Sequence, residues 1–395
     1  MAGRPDARKR RPQMACTQEA CELADFVTSV KGLASGSMSP TEVWLLTFDD
    51  SFCGADSAFL KLFISPDSVK TDATKALRYE ALVYRNVINW LSDFCPNFVE
   101  FVAKTQGCSF GHVLALLEAG GFSRAKAEKA LLHNLAYIAA GAKGRPSLTD
   151  VLGGKAKAKA DLWPSEEKQA EMRDEFRYDL IVTKNHNVAG SLAEFLERGD
   201  VFPKHEGLGI VFQVAVACYA LELLGCVHGD LHLGNILLER LEGAVVEYVV
   251  EGTRAVLQSS WRVRIFDFDR ASVSWFKTKN PQATKHKGKW LKTPQRAVRN
   301  TDLGMFLCAL LGFDEHETFY KPLLPALKAV FGKKILDIQD EKNCNALTQN
   351  SAALLRETLG AEYIPRLAKQ LRATPASKAE ITETYEFGAR SFQRQ

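Results

Sequence analysis

The eleven residues from His228 to Leu238, His-Gly-Asp-Leu-His-Leu-Gly-Asn-Ile-Leu-Leu, constrain this chain more than any other stretch. They set His228, Asp230, His232 and Asn235 between two apolar segments, and polar groups in apolar surroundings cost free energy unless they are hydrogen-bonded. The loop follows the apolar helical pattern of Leu208 to Val227 and precedes a strand. A second cue comes at Arg264-Ile265-Phe266-Asp267-Phe268-Asp269, where a short apolar strand ends in an acidic triplet. Asp267 is there a hard-oxygen ligand for a metal ion.

With 395 residues, 46% hydrophobic and 25% charged, the chain is long enough for two lobes that each own a core. A net charge of +4 argues neither for nor against nucleic acid. Nine cysteines are an odd number without CxxC spacing, which speaks against a disulfide framework or a zinc site and fits a reducing compartment. The N-terminus shows no signal-peptide apolar region, so an intracellular protein, cytoplasmic or nuclear, is expected. Residues 1–28 form a basic tail with Arg4, Arg8, Lys9, Arg10 and Arg11, read either as a nuclear-localisation or nucleic-acid patch or as a solvated, disordered end.

Asp230 and Asn235 stand five positions apart. Together with His228 they resemble the catalytic loop of the protein-kinase-like superfamily, in which the Asp accepts the proton of the attacking hydroxyl and the Asn holds magnesium. Asp267 and Phe268 match the first two residues of that superfamily's Asp-Phe-Gly motif, with Asp269 in place of the glycine. The resemblance covers roughly residues 30–310 and implies an α+β, bilobal fold, with a small β-rich N-lobe carrying one key helix and a larger, mainly helical C-lobe. The expected boundaries are 29–183 for the N-lobe, with a helical insertion at about 108–175, and 184–395 for the C-lobe.

The strand Ala58 to Ile64 is apolar apart from Lys61, whose ammonium needs a partner once buried. On the next helix Leu77, Ala81, Tyr84, Ile88 and Leu91 mark an inward face, and Glu80 falls on it. Lys61 and Glu80 satisfy each other; the plainer alternative is a snorkelling Lys and a Glu on a helix flank. In the superfamily such a pair positions the nucleotide's phosphates. Phe59 stands two residues before Lys61, where the family places a small residue against adenine. The small-residue turn between two apolar strands in Val30 to Phe48 resembles the phosphate-covering loop at Gly36 and Ser37, with Ala34 and Ser39 where glycines are expected. Taken alone it is a surface hairpin turn. Thr183 ends the strand Tyr178 to Thr183, which leads into an interlobe linker at 184–188, and joins the nucleotide-binding set.

Further readings complete the chain. Phe122 to Ala140 reads as a helix with Ser123 as N-cap, Gly141 to Lys159 as a mobile connection, and Leu192 to Arg198 as a helix capped by Ser191. Leu208 to Val227 is long enough to span a membrane, yet it contains Gln213 and Glu222 and runs into the His228 loop, so a buried helix and no membrane partner are expected. Val245 to Val250 and Ala255 to Leu257 read as strands around Gly252. That excursion, His232 and the phrase Phe-Asp-Phe-Asp-Arg at 266–270 are similar to haspin-type kinases and to the Ser/Thr kinases of large DNA viruses, which would allow a host cell or virion location. From Lys277 to Arg299 runs a basic stretch with Trp275 and Trp290 nearby and no Ala-Pro-Glu. It is read as a cleft for acidic or phosphorylated protein substrates, as a nucleic-acid contact, or as a solvated loop. Asp302 opens the helix Leu303 to Leu311 as N-cap, as the family's ligand of the catalytic-loop backbone, or as both. The C-terminal stretch is expected to finish the larger lobe with helices such as Leu323 to Phe331 and Ala352 to Leu359.

The resemblance implies that ATP with Mg2+, or Mn2+, binds between the lobes and that its γ-phosphoryl group passes to Ser/Thr hydroxyls of proteins. Lys61 would contact the α and β phosphates, fixed by Glu80, while Asn235 and Asp267 hold metal, Asp230 acts as base and His232 lies beside the transferring phosphate. Gly229 replaces the family's catalytic-loop arginine, which implies activity without activation-segment phosphorylation. Two alternatives stand beside this: a small-molecule phosphotransferase of the aminoglycoside or choline kinase type, and a pseudokinase scaffold.

Overall fold

The structure is a computed structural model that describes residues 20–33, 41–52, 55–66, 72–140, 146–154, 163–241, 243–285, 301–312, 314–332, 335, 360–372 and 381–392. The chain divides into two compact units, one of residues 1–81 and 100–185, the other of residues 82–99 and 186–395. The class is α+β: a five-stranded antiparallel sheet, smaller sheets and many helices.

In the first unit β1 (Val27–Leu33), β2 (Thr41–Phe52), β3 (Ala55–Pro66), β4 (Phe101–Cys108) and β5 (Phe176–Lys184) form one sheet in the order β1-β2-β3-β5-β4. Its alternation is clear in β2, where Trp44, Leu46 and Phe48 are buried between more open Val43, Leu45 and Thr47. In β3 the same inward set is Ala58, Leu60, Leu62 and Ile64.

Helices Phe110–Ala119, Arg124–Ala139, Leu148–Leu152 and Glu166–Glu175 belong to this unit. Leu117, Leu131, Leu135, Leu148 and Met172 from them join Trp44, Leu60 and Val182 in one core cluster. Each such side chain contributes roughly 1.5–3 kcal/mol on burial. These helices, which fall in the expected insertion, therefore build part of the unit's core. The supposed mobile connection contains the helix Leu148–Leu152, with both terminal leucines buried. Ser123 stands at the N-cap of Arg124–Ala139 without a side-chain capping bond.

The helix Asp72–Val83 passes into a π-helical turn at Tyr84–Ile88, a departure from regular α geometry that often marks functional sites. Leu77, Ala81, Tyr84, Ile88 and Leu91 are all buried, as their spacing predicts.

The second unit surrounds the helix Lys204–Leu223, which is long and apolar enough to cross a membrane and whose apolar window is 89% buried inside the structure. Its polar Gln213 is used: the side-chain oxygen accepts from the Asn97 amide and the Val263 N–H, both at 3.0 Å, and its nitrogen donates to the Trp261 carbonyl. Asn97 in turn donates to the Val263 carbonyl. This buried network ties the stretch before Val99 to the helix and to a strand, at positions where orphaned amides would cost about 1–3 kcal/mol each.

Short strands carry the rest. β6 (Val188–Ser191), β8 (Ile236–Arg240) and β11 (Trp261–Ile265) form a sheet in the order β11-β8-β6, and β7 (Cys226–Val227) pairs with β12 (Ser272–Val273). Ser191 caps Leu192–Glu197 through a capping box with Glu194. β9 (Val245–Val250) and β10 (Thr253–Gln258) form the expected hairpin, with Gly252 at φ +74°. Against expectation the C-terminal stretch adds a strand: β13 (Glu383–Phe387) pairs parallel to β9. Helices Leu324–Phe331 and Gly360–Arg372 precede it, while Ala352 to Leu359 lies outside the described residues.

Candidate active site

The first unit holds a paired cation. Lys61 Nζ lies 2.8 Å from Glu80 Oε2, with side chains 17% and 1% exposed, so a buried carboxylate meets an ammonium that keeps some access to solvent. The sheet register explains the placement. Lys61 sits opposite Val43 on one side and Ile181 on the other, and Phe59 sits opposite Thr183. Residues opposed across a sheet share a face, so Lys61, Phe59 and Thr183 lie on the face turned away from the helical core. Thr183 is buried. Gly36 and Ser37 lie outside the described residues, as do the N-terminal basic residues and 286–299 of the basic stretch.

The second unit holds a loop tied down by Asp302. Asp302, 6% exposed, accepts the backbone N–H of His228 at 2.8 Å and of Gly229 at 2.9 Å. Because the helix begins at Thr301, Asp302 lies inside its first turn and is not the cap. Of the two expected roles it fills the loop-binding one. Burial pushes its carboxyl up from the usual carboxylate range, against the two N–H donors that favour the ionised form.

His228 is fully buried. Its Nε2 is 2.9 Å from the Phe266 carbonyl, which only accepts, and its Nδ1 accepts from the Asp230 N–H at 3.3 Å. Those two bonds select the neutral tautomer protonated at Nε2. They also fasten the loop to the end of β11. The Phe266 N–H donates to the Asn235 carbonyl at 3.3 Å, which sets the metal-ligand candidates Asn235 and Asp267 on neighbouring backbone.

Asn235 is buried and donates its amide nitrogen to the Asp230 carbonyl at 2.9 Å. The nitrogen is thereby committed within the loop, and Oδ1 is the atom available to a cation. Asp267 adopts φ +65°, a left-handed backbone that Asp tolerates at a cost of about 1–2 kcal/mol. Two contacts fix that conformation: the Asp267 N–H donates to the Tyr84 hydroxyl at 3.0 Å, and the next residue, fully buried Phe268, packs on Tyr84, Phe98 and His228 with ring centroids 5.3, 6.4 and 4.7 Å away.

Asp230 is half-buried, with Oδ2 3.1 Å from Arg270 Nη1. His232 is exposed and accepts the Gly234 N–H at Nδ1. It therefore caps the short turn Leu233–Asn235.

Sequence reasoning missed Tyr84, which reads as one more apolar position of a helix, and gave no role to Arg270, which closes the phrase Phe-Asp-Phe-Asp-Arg. Among the described residues no group of three or more His, Cys, Asp or Glu side chains converges as a metal site. Asn235 and Asp267 are a sparse oxygen set, which suits Mg2+, a cation that keeps several waters and shares its shell with substrate phosphates. No protein-family model and no curated protein matches this sequence.

Proposed function

We propose that the chain is an ATP- and magnesium-dependent phosphotransferase of the protein-kinase-like type, acting on Ser/Thr hydroxyls of proteins. The observation that carries this reading is the second unit's loop. A carboxylate, Asp230, and an amide oxygen, that of Asn235, are held by Asp302 and His228 beside a second carboxylate, Asp267, in a constrained left-handed backbone. Rigid placement of a base next to hard-oxygen ligands is what phosphoryl transfer asks of a protein, since its catalysis is mostly positioning and charge stabilisation.

Asp230 takes the proton of the acceptor hydroxyl. Lys61, steadied by Glu80, neutralises the α and β phosphates, with Thr183 on the same sheet face contributing to the nucleotide site. Asn235 and Asp267 would hold Mg2+, which when bound screens the charge of the phosphate oxygens. Gly229 leaves the loop without an arginine to read a phosphorylated segment, so activity is independent of such a modification.

The test compares wild type with Asp230→Asn, both treated with phosphatase, using labelled ATP and a mixed protein substrate, an aminoglycoside or choline. Label on protein from wild type, lowered by at least 100-fold in the variant, supports the reading. Transfer to the small molecules alone replaces the substrate class. Nucleotide binding without transfer to any acceptor, with Mg2+ or Mn2+, overturns it in favour of a binding scaffold.

A further inference from the structure

Phosphoryl transfer needs positive charge where the transferring group passes, and from Cys226 to Leu238 the chain carries neither Lys nor Arg. His232 turns its Nδ1 back to the Gly234 N–H and caps the turn Leu233–Asn235. Arg264 is engaged elsewhere: 5% exposed, it binds Glu239 at 2.7 Å and the Phe98 carbonyl at 3.2 Å.

Among the described residues, Arg270 reaches the loop. Arg270 Nη1 is 3.1 Å from Asp230 Oδ2, and both side chains keep solvent access, 34% and 22%. Several features of the backbone serve this approach. Buried Asn280 donates to the carbonyls of Asp269 at 2.7 Å and Ala271 at 2.8 Å, gripping the chain on either side of Arg270. The pairing of β12 with β7 aligns Ser272 with Val227, immediately before the loop. Gly229 has φ +80°, and a Cβ there would stand 2.7 Å from the Arg270 carbonyl oxygen. The glycine that removes an arginine from the loop thus lets the backbone of Arg270 lie against it.

We propose that Arg270 is a catalytic residue of the transfer: its guanidinium orients Asp230 and stabilises the charge on the γ-phosphoryl oxygens as the group moves. The proposal rests on the phosphotransferase reading above and adds to it a cation for the γ-phosphoryl group. In the step, the acceptor oxygen bonds to the γ-phosphorus, the bond from that phosphorus to the β–γ bridging oxygen breaks, ADP leaves with the bond's electron pair, and the hydroxyl proton goes to Asp230. Arg270 gains and loses no proton. A guanidinium suits the role because it stays charged and offers several donors in a planar fork, so one edge can hold a carboxylate while another meets phosphate.

The experiment uses the full chain as wild type, Arg270→Ala, Arg270→Lys and Asp230→Asn, with thermal unfolding as a fold check. It measures kcat, the KM for ATP, and ADP–Mg2+ binding by calorimetry. The expected result for Arg270→Ala is a fall in kcat of roughly 100-fold to 1,000-fold, ADP affinity unchanged within about twofold because ADP lacks the γ-phosphate, and partial recovery on adding guanidinium ion at millimolar concentration. Arg270→Lys should fall between. A purely structural Arg270 would lower the unfolding temperature and show no recovery with added guanidinium, which would overturn the proposal. So would Arg270→Ala activity within about threefold of wild type while Asp230→Asn is dead, and that outcome leaves the phosphotransferase reading standing. Absence of transfer by folded wild type to any acceptor would remove both.

Discussion

Replacing Lys61 by methionine tests the ion pair as a piece of physics before it tests catalysis. At 2.8 Å two unit charges in an effective dielectric of about 20 attract by about 6 kcal/mol. Most of that attraction offsets the desolvation of a Glu80 side chain only 1% exposed. The intact pair is therefore worth little net, whereas removing one partner strands a buried carboxylate and costs about 3–5 kcal/mol. Lys61→Met should accordingly lower the local stability of β3 and β5 by that amount. The double variant Lys61→Met/Glu80→Leu, which removes both charges and keeps apolar volume, should return to within about 1.5 kcal/mol of wild type. Hydrogen exchange of the β3 and β5 amides is the suitable assay, because it reads stability within one unit of a chain that need not unfold in a single step. A double variant as unprotected as the single one would refute the reasoning, as would a single variant as protected as wild type. ATP binding separates function from stability, and both variants should lose it even where the double variant regains its protection.

Two further outcomes follow from other buried groups. Asp302→Ala orphans the N–H groups of His228 and Gly229, so a loss of about 2–4 kcal/mol is expected in chemical denaturation, with phosphotransfer abolished; an unchanged midpoint would mean that water replaces the carboxylate. Glu383 bonds Arg262 at 2.7 Å. Partial burial pushes its carboxyl upward, but the hydrogen bonds from Arg262 and Tyr385 and the charges of Arg262 and Arg264 outweigh this and hold it below its ordinary value of 4.5. A depressed carboxyl stabilises the fold above its unfolded pKa, and that stability is lost as the pH falls through the folded one. Denaturation midpoints from about pH 7 down to about pH 3 should fall less steeply in Glu383→Gln than in wild type, and equal slopes would show that the carboxylate adds nothing.

Local patterns were legible where one element's period determined the answer. β3, the face of Asp72–Val83, the Ser191 cap and the β9–β10 hairpin all follow from spacing within a dozen residues. β4 escaped notice because Lys104, Thr105, Gln106 and Gly107 break any apolar alternation; its place comes from pairing with β5, many residues later. β13 is comparable, since only Phe387 of Glu383-Thr-Tyr-Glu-Phe is buried and the segment acquires strand geometry from β9. The helices between Phe110 and Glu175 were visible only in part, and nothing in their own periodicity says that they cover the sheet formed by β1 to β5.

The chemical residues of the loop were readable because their separations are fixed by the chain, as with Asp230 and Asn235. What holds them was not, because it arrives from far away: the Tyr84 hydroxyl reaches the Asp267 amide across 183 residues of sequence, and the Asp302 carboxylate reaches the His228 amide across 74. A left-handed Asp267 is unfavourable by itself, so its presence implies surroundings that determine it. Tyr84 meets the need twice, by accepting from the Asp267 N–H and by packing edge-on against Phe268. The π-helical turn that begins at Tyr84 changes the helical phase there, and a regular α-helix would present the hydroxyl at a different angle. Two irregularities remote in sequence, a π-helical turn and a left-handed residue at a strand end, therefore meet in one hydrogen bond.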